Sequence, residues 1–186
     1  MNHLTLHPTP LAGLFEISRR RMEDERGAFA RLFCARELAE YGFAEPVAQV
    51  NHSYTRHSGT IRGLHFQHPP HAETKLVTCV RGSVFDVAVD LRRGSPTFLR
   101  WHAVRLSALN HNSVLIPPGF AHGFQTLEDD CELIYLHSAA HAPDAEGGVG
   151  PLDPALRIEW PRPMTTCSPR DRGHPPITAG FTGLDR

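Results

Sequence analysis

The sequence predicts an all-β protein, and three observations predict it. From Leu76 to Ser138 short β-prone runs alternate with turn residues at regular intervals. No stretch sustains an apolar period of 3.6 residues. The 186 residues, 40% hydrophobic and 21% charged, fit a single domain over residues 1–186 with one sizeable core. Four or more evenly spaced strands point to a sandwich or barrel.

Along the chain, Arg36 to Tyr41 (RELAEY), closed by Gly42, is the candidate short helix. The clearest strand is Ser83 to Leu91, entered through Arg81-Gly82. Its Phe85, Val87, Val89 and Leu91 face one way and its Asp86, Ala88 and Asp90 the other, so one face is oily and the other carries carboxylates. A surface position is the plain reading of Asp86. After the turn chemistry of Arg92 to Pro96, Trp101 to Leu106 follows at hairpin or meander spacing. Val114 to His122 reads as a strand closed by a Pro-Gly turn, and Glu132 to His137 as another strand. Beyond Ala142, Pro, Gly and Asp predict an irregular tail with a turn or short helix near Pro154 to Leu156.

Nineteen basic and twenty acidic side chains leave a formal charge of -1, so no global field would hold the chain on nucleic acid or an anionic membrane. The opening MNHLTLHPTPLAG lacks a basic segment followed by an apolar run, and no later stretch is long enough to span a bilayer. A cytoplasmic location is expected, with neither nucleic acid nor membrane as partner. Cys34, Cys79, Cys131 and Cys167 are widely spaced without a C-x-x-C pair and read as free, mostly buried thiols.

Thirteen histidines stand out, because imidazole moves protons near neutral pH. His3, His7, His52, His57, His102, His111 and His174 sit in polar or turn-like surroundings and read as surface residues. The dense stretch is Arg62 to Lys75 (RGLHFQHPPHAETK), with a guanidinium, three imidazoles, a carboxylate and an ammonium within fourteen residues. Two chemistries could use it. His65, His71, Glu73 and a distant His122 could ligate a divalent metal, although Pro69-Pro70 interrupts the run. Alternatively one histidine is a general base, while Arg and Lys hold an anionic substrate or neutralise developing negative charge.

Asp24-Glu-Arg-Gly27, Gln49-Val-Asn51, IRGLHFQ (Ile61 to Gln67), KLVTCVRGSVFDVAVDLRRGSPTF (Lys75 to Phe98), IPPGFAHGF (Ile116 to Phe124), the Tyr135 segment, APDAEGG (Ala142 to Gly148) and SPRDR (Ser168 to Arg172) occur in one order along nearly the whole chain. In these motifs the sequence resembles the dTDP-4-dehydrorhamnose 3,5-epimerase family. The resemblance implies a cupin-like double-stranded β-helix, or jelly roll, with a few short helices and no metal or other cofactor. It implies a homodimer in which a segment of one subunit reaches the neighbour's site, and a dTDP-sugar or related nucleotide sugar as substrate. By the same resemblance His65 would be the proton acceptor, Asp171 its buried partner, Tyr135 the proton donor, and Lys75 would face the sugar C4 oxygen. Arg26, Phe29, Gln49, Asn51, Arg62, His122, His141, Glu146 and Arg170 would surround the sugar, diphosphate and nucleotide. Phe29 would act across the dimer.

Physical chemistry asks for these roles. A proton beside a ketone is too weakly acidic for imidazole unless the enolate is stabilised, and a nearby ammonium in a low-dielectric cavity does so; one such donor contributes about 3–4 kcal/mol. Inversion then requires a proton from the opposite face, which a neutral phenol can supply. Four positions depart from the family pattern: His141 replaces a second tyrosine, Arg31 a glutamate, Val50 an acidic residue and Arg170 a lysine. A metal-dependent cupin enzyme and a catalytically silent sugar-nucleotide binding module stand as the rival readings.

Overall fold

The computed structural model describes residues 3–185. The domain expected over 1–186 therefore includes three residues, Met1, Asn2 and Arg186, that lie outside the described ones. In chain order the strands are β1 (Leu4–Pro8), β2 (Phe15–Arg19), β3 (Arg21–Asp24), β4 (Gly27–Ala30), β5 (Gln49–Thr55), β6 (Thr60–Gln67), β7 (Lys75–Arg81), β8 (Ser83–Asp90), β9 (Trp101–Ser107), β10 (Asn112–Ile116), β11 (Phe120–Thr126), β12 (Cys131–His137), β13 (Glu146–Gly148) and β14 (Thr166–Cys167). Two short helices, α1 (Ala35–Leu38) and α2 (Pro169–Arg172), complete the all-β jelly roll. One sheet runs β1-β2-β10-β7-β12-β5; the other runs β13-β6-β11-β8-β9, with β14 beside β6. β3 and β4 form a separate hairpin.

The expected strands from Ser83 onward are present, with one difference. Val114 to His122 is not one strand: β10 ends at Ile116, and Pro117-Pro118-Gly119 turns the chain into β11 in the other sheet, which carries His122. Proline has no N–H for a ladder, and Gly119 takes φ 83°, so the run has to turn there. The helix expected over Arg36 to Tyr41 is α1 continued by a 3-10 turn, ending at Gly42 with φ 97°. Pro154 to Leu156 forms a turn.

Apolar side chains pack in three layers. Val77, Val84, Ala88, Val104, Val114, Phe124 and Leu133 fill the space between the sheets. The C-terminal tail, through Val149, Leu156 and Leu184, covers the outer side of β6, β8 and β11, against Leu64, Val87 and Val89. Leu38 and Phe43 cover Ile17, Leu76 and Leu115 of the first sheet. The carboxylate face of β8 is therefore not a surface. Asp86 is 2% exposed and Asp90 fully buried, each paired inside: Asp86 with His122, and Asp90 with Arg92, Ser95 and Thr97. The four thiols are free, three of them buried.

One irregularity positions everything that follows. β11 pairs β6 with His122 opposite His65, yet Phe124 lies opposite Arg62, so β6 carries an extra residue in a bulge. Gly63 occupies it at φ 106°. A Cβ there would lie 2.6 Å from the His122 carbonyl oxygen, and one at Gly123 would lie 2.5 Å from the Arg62 carbonyl oxygen. Arg62 and His65, three residues apart, would face opposite ways on a regular strand; across the bulge both line the same cavity. Gly63→Ala is accordingly expected to lower the unfolding free energy by about 1–3 kcal/mol, since it meets both a strained φ and a backbone contact. Urea denaturation checks this, and an unchanged midpoint would contradict it.

Candidate active site

A cavity of about 620 Å³ opens between the sheets. Ten of the thirteen expected site residues line it: His65, Asp171, Tyr135, Lys75, Asn51, Arg62, His122, His141, Glu146 and Arg170. Gln49 adjoins it, donating through Nε2 to Asn51 Oδ1 at 2.9 Å. Arg26 and Phe29 do not join it. They sit on the β3–β4 hairpin, where Arg26 pairs with Asp24 at 2.6 Å, Phe29 is 66% exposed, and the lining of a separate shallow hollow includes both.

The second sheet and α2 together supply a dyad, His65 from β6 and Asp171 from the helix. His65 Nε2 lies 2.8 Å from Asp171 Oδ1. A carboxylate only accepts, so Nε2 carries the proton and Nδ1 keeps a free lone pair. Asp171 is fixed in turn: its Oδ2 accepts from the bulge N–H of Gly63 at 3.1 Å, and its own N–H donates to Ser168 Oγ at the start of α2, at 3.0 Å. Burial lowers the pKa of the His65 imidazole and outweighs the opposing pull of Asp171, so His65 rests as a neutral base. Burial alone would raise the Asp171 carboxyl, but hydrogen bonds from His65 and Gly63 hold it below the ordinary carboxylate range.

The first sheet supplies the facing groups. Tyr135 shares a hydrogen bond of 3.0 Å with Ser53, and its ring meets the His122 ring edge-on, centroids 6.2 Å apart. Burial raises the phenol pKa well above its usual value despite the Ser53 bond, so the hydroxyl stays protonated. Lys75 Nζ reaches across to the His65 carbonyl oxygen at 3.4 Å and pairs with Glu73 at 3.2 Å. His122 Nε2 donates between both Asp86 oxygens, at 2.9 and 3.0 Å. At the rim His141 Nε2 lies 3.0 Å from Glu146, which also pairs with Arg170. Burial would raise the Glu146 carboxyl, but His141 and Arg170 hold it low.

Three residues that sequence reasoning left out or set aside belong to this neighbourhood. Glu73 and His137 line the cavity, joined by a 2.9 Å bond; alternation along β12 puts His137 on the Tyr135 face. His174 is not a surface histidine: its ring lies 6.2 Å from that of His65, and its buried Nε2 has no hydrogen-bond partner. Nothing local in the sequence marks it, because the tail folds back over β6. The metal set weighed from sequence does not assemble. Among the described residues the group whose ligand atoms come within 4.8 Å of one another is His65, Asp171 and His174.

A jelly roll whose two sheets present an imidazole, a phenol and an ammonium to one polar cavity is equipped to move protons, and its relatives make it an isomerase of the carbohydrate-epimerase class. The profile described as dTDP-4-dehydrorhamnose 3,5-epimerase matches residues 8–179. The chain is 41% identical over 170 residues to a dTDP-4-dehydrorhamnose 3-epimerase of Streptomyces niveus, covering 91% of this chain and 82% of that one. It is 42% identical over 174 residues to a dTDP-4-dehydrorhamnose 3,5-epimerase of Streptomyces griseus, covering 92% and 86%. The solved dTDP-6-deoxy-D-glucose-3,5-epimerase of Legionella pneumophila, in complex with dTDP-4-keto-L-rhamnose, superposes with a TM-score of 0.90 at 36% identity over 98% of each chain. The chain belongs to the dTDP-4-dehydrorhamnose 3,5-epimerase family, and its jelly roll is of the cupin-like type expected.

The dyad sets the pH response. Neutral His65 prevails above a pKa displaced downward, so activity should fall only as the pH drops below 6.5, the ordinary histidine value. Asp171→Asn removes the charge that partly offsets burial, moving this acid limb further down, and loses control of the tautomer, cutting kcat on the order of 10³–10⁴-fold. A kcat/KM profile for both proteins reads this out; a limb that moves upward in the variant would contradict it.

Proposed function

We propose that the protein inverts C3, C5 or both of a nucleoside-diphosphate 4-keto-6-deoxysugar, with a dTDP-sugar as substrate, by proton abstraction and reprotonation. The observation that carries this reading is the opposition of His65 on one sheet, held by Asp171 of α2, to Tyr135 on the other, Lys75 bridging between them. His65 Nδ1 takes the proton from the carbon beside the ketone, and Asp171 stabilises the imidazolium that forms. Negative charge moves to the C4 oxygen, where the Lys75 ammonium meets it. Tyr135 returns a proton from the opposite face, which inverts the centre. Arg62, His122 and Asn51 hold the sugar, and Glu146, Arg170 and His141 the outer part of the substrate.

Arg26 and Phe29 act from a second copy of the chain in this reading. The hairpin that bears them stands apart from both sheets, and Met22 on it is also exposed. A homodimer in which each hairpin completes the neighbour's nucleotide site gives these side chains a partner, in one cytoplasmic domain per chain. Among the described residues no helix is long and apolar enough to cross a membrane.

Incubation with dTDP-4-keto-6-deoxyglucose in deuterated water, followed by NMR, should place label at C3, C5 or both. His65→Ala should abolish uptake while leaving the melting temperature near that of the wild type; unchanged exchange would refute the base assignment. Because Lys75 supplies the positive charge, prolonged treatment with a chelator should leave the wild-type rate unaltered. Loss of activity restored by iron, zinc or manganese would favour the metal-dependent cupin instead.

A further inference from the structure

Lys75 does not stand alone in the cavity wall. Its Nζ donates to Glu73 at 3.2 Å, and the other Glu73 oxygen accepts from His137 Nδ1 at 2.9 Å. His137 Nε2 is then free to accept, and Asn51 Nδ2 lies 3.4 Å from it. Asn51 Oδ1 accepts from Gln49 Nε2 at 2.9 Å, and Gln49 Oε1 accepts from the His141 backbone N–H at 3.0 Å. Donors and acceptors alternate without conflict from the rim to Glu73, with His137 donating through Nδ1 and accepting through Nε2. The strand register explains the junction: in β12 His137 lies opposite Lys75 of β7 on one side and Gln49 of β5 on the other. Its ring also stacks beside Tyr135, at 6.1 Å between centroids and 27° between planes.

We infer that His137, acting through Glu73, is a positioning residue for the epimerisation: it fixes where the Lys75 ammonium points and ties that position to Asn51 and Gln49, which meet the substrate. The Glu73 side chain is 7% exposed and that of His137 13%, so water competes little for these bonds. Without its imidazole bond, Glu73 is free to turn and to draw Lys75 away from the C4 oxygen. A displacement on the order of 1 Å at such a group costs up to about a hundredfold in rate. The inference rests on the reaction proposed above.

The test is a double-mutant cycle read by steady-state kinetics and deuterium exchange. His137→Phe keeps a ring beside Tyr135 but loses both nitrogen contacts, and should lower kcat on the order of tenfold or more with KM changed much less. Glu73→Gln leaves one acceptor oxygen where Lys75 and His137 need two, so it breaks the relay on one side or the other; it should lower kcat similarly, and combining the two should add little to either alone. His137→Gln, whose amide can donate to Glu73 and accept from Asn51, should recover much of the rate. Should His137→Phe fail to fold, Glu73→Gln and the Gln rescue carry the comparison. Wild-type kcat in both His137→Phe and Glu73→Gln, or additive losses in the double variant, would overturn the inference while leaving the proposed reaction intact. A wild-type protein with no exchange would overturn both.

Discussion

The bulge at Gly63 is the constraint on which the site depends. Two neighbouring strands come this close only where side chains are missing, and Gly63 and Gly123 remove them at facing positions. The extra residue turns Arg62 and His65 to one face and frees the Gly63 N–H from the ladder to bind Asp171. A single backbone irregularity thus aims the base and positions the carboxylate that fixes its tautomer. A regular strand of the same sequence would send either the guanidinium or the imidazole into the outer layer with Leu64 and Val87.

The cavity's electrostatics follow from the same depth. Each sheet has an outer cover, so the space between them is poorly solvated and every ionisable group there needs a partner. His65 is the informative case, because burial and Asp171 pull in opposite directions and burial prevails. A base kept neutral beside a fixed carboxylate accepts a proton readily and is stabilised once charged. Tyr135 is the converse: burial keeps it protonated, and its bond to Ser53 orients the hydroxyl without ionising it. Imidazole and phenol therefore stand in one pocket with one ready to accept a proton and the other to give one, as stepwise proton transfer requires.

Sequence periodicity revealed the second half of the sheets far better than the first. β8, β9 and β12 contain apolar alternation or β-branched runs, whereas β5 (QVNHSYT) and β6 (TIRGLHFQ) are rich in polar side chains because one face lines a polar cavity. Asp86 looked like a solvent-facing carboxylate because alternation shows that a face is polar but not what covers it. Its partner His122 comes from a strand 36 residues later. His174 and His137 were missed for the same reason: their neighbours, His65 and Glu73, are remote in sequence. The family resemblance named residues that the fold brings into one cavity, since ordered motifs encode long-range contacts that local patterns do not.

The four departures from the family pattern separate once placed in the fold. Arg31 pairs at 2.8 Å with Glu37, whose buried carboxylate also accepts the backbone N–H groups of His3 and Leu4; burial would raise this carboxyl, but these bonds take it down to about 2. That substitution anchors the N-terminal strand. Val50 is 61% exposed and, by strand alternation, faces away from Asn51 and the cavity. Only His141 and Arg170 remain at the site, and both converge on Glu146. Both therefore bear on one carboxylate, which holds an imidazole and a guanidinium together. An imidazole tied to Glu146 cannot at the same time offer that nitrogen to the sugar, and a guanidinium presents a planar fork where an ammonium would present a point charge. The two departures that reach the cavity thus meet on one rim carboxylate, whereas Asp171 and Ser53 hold the His65 and Tyr135 side chains.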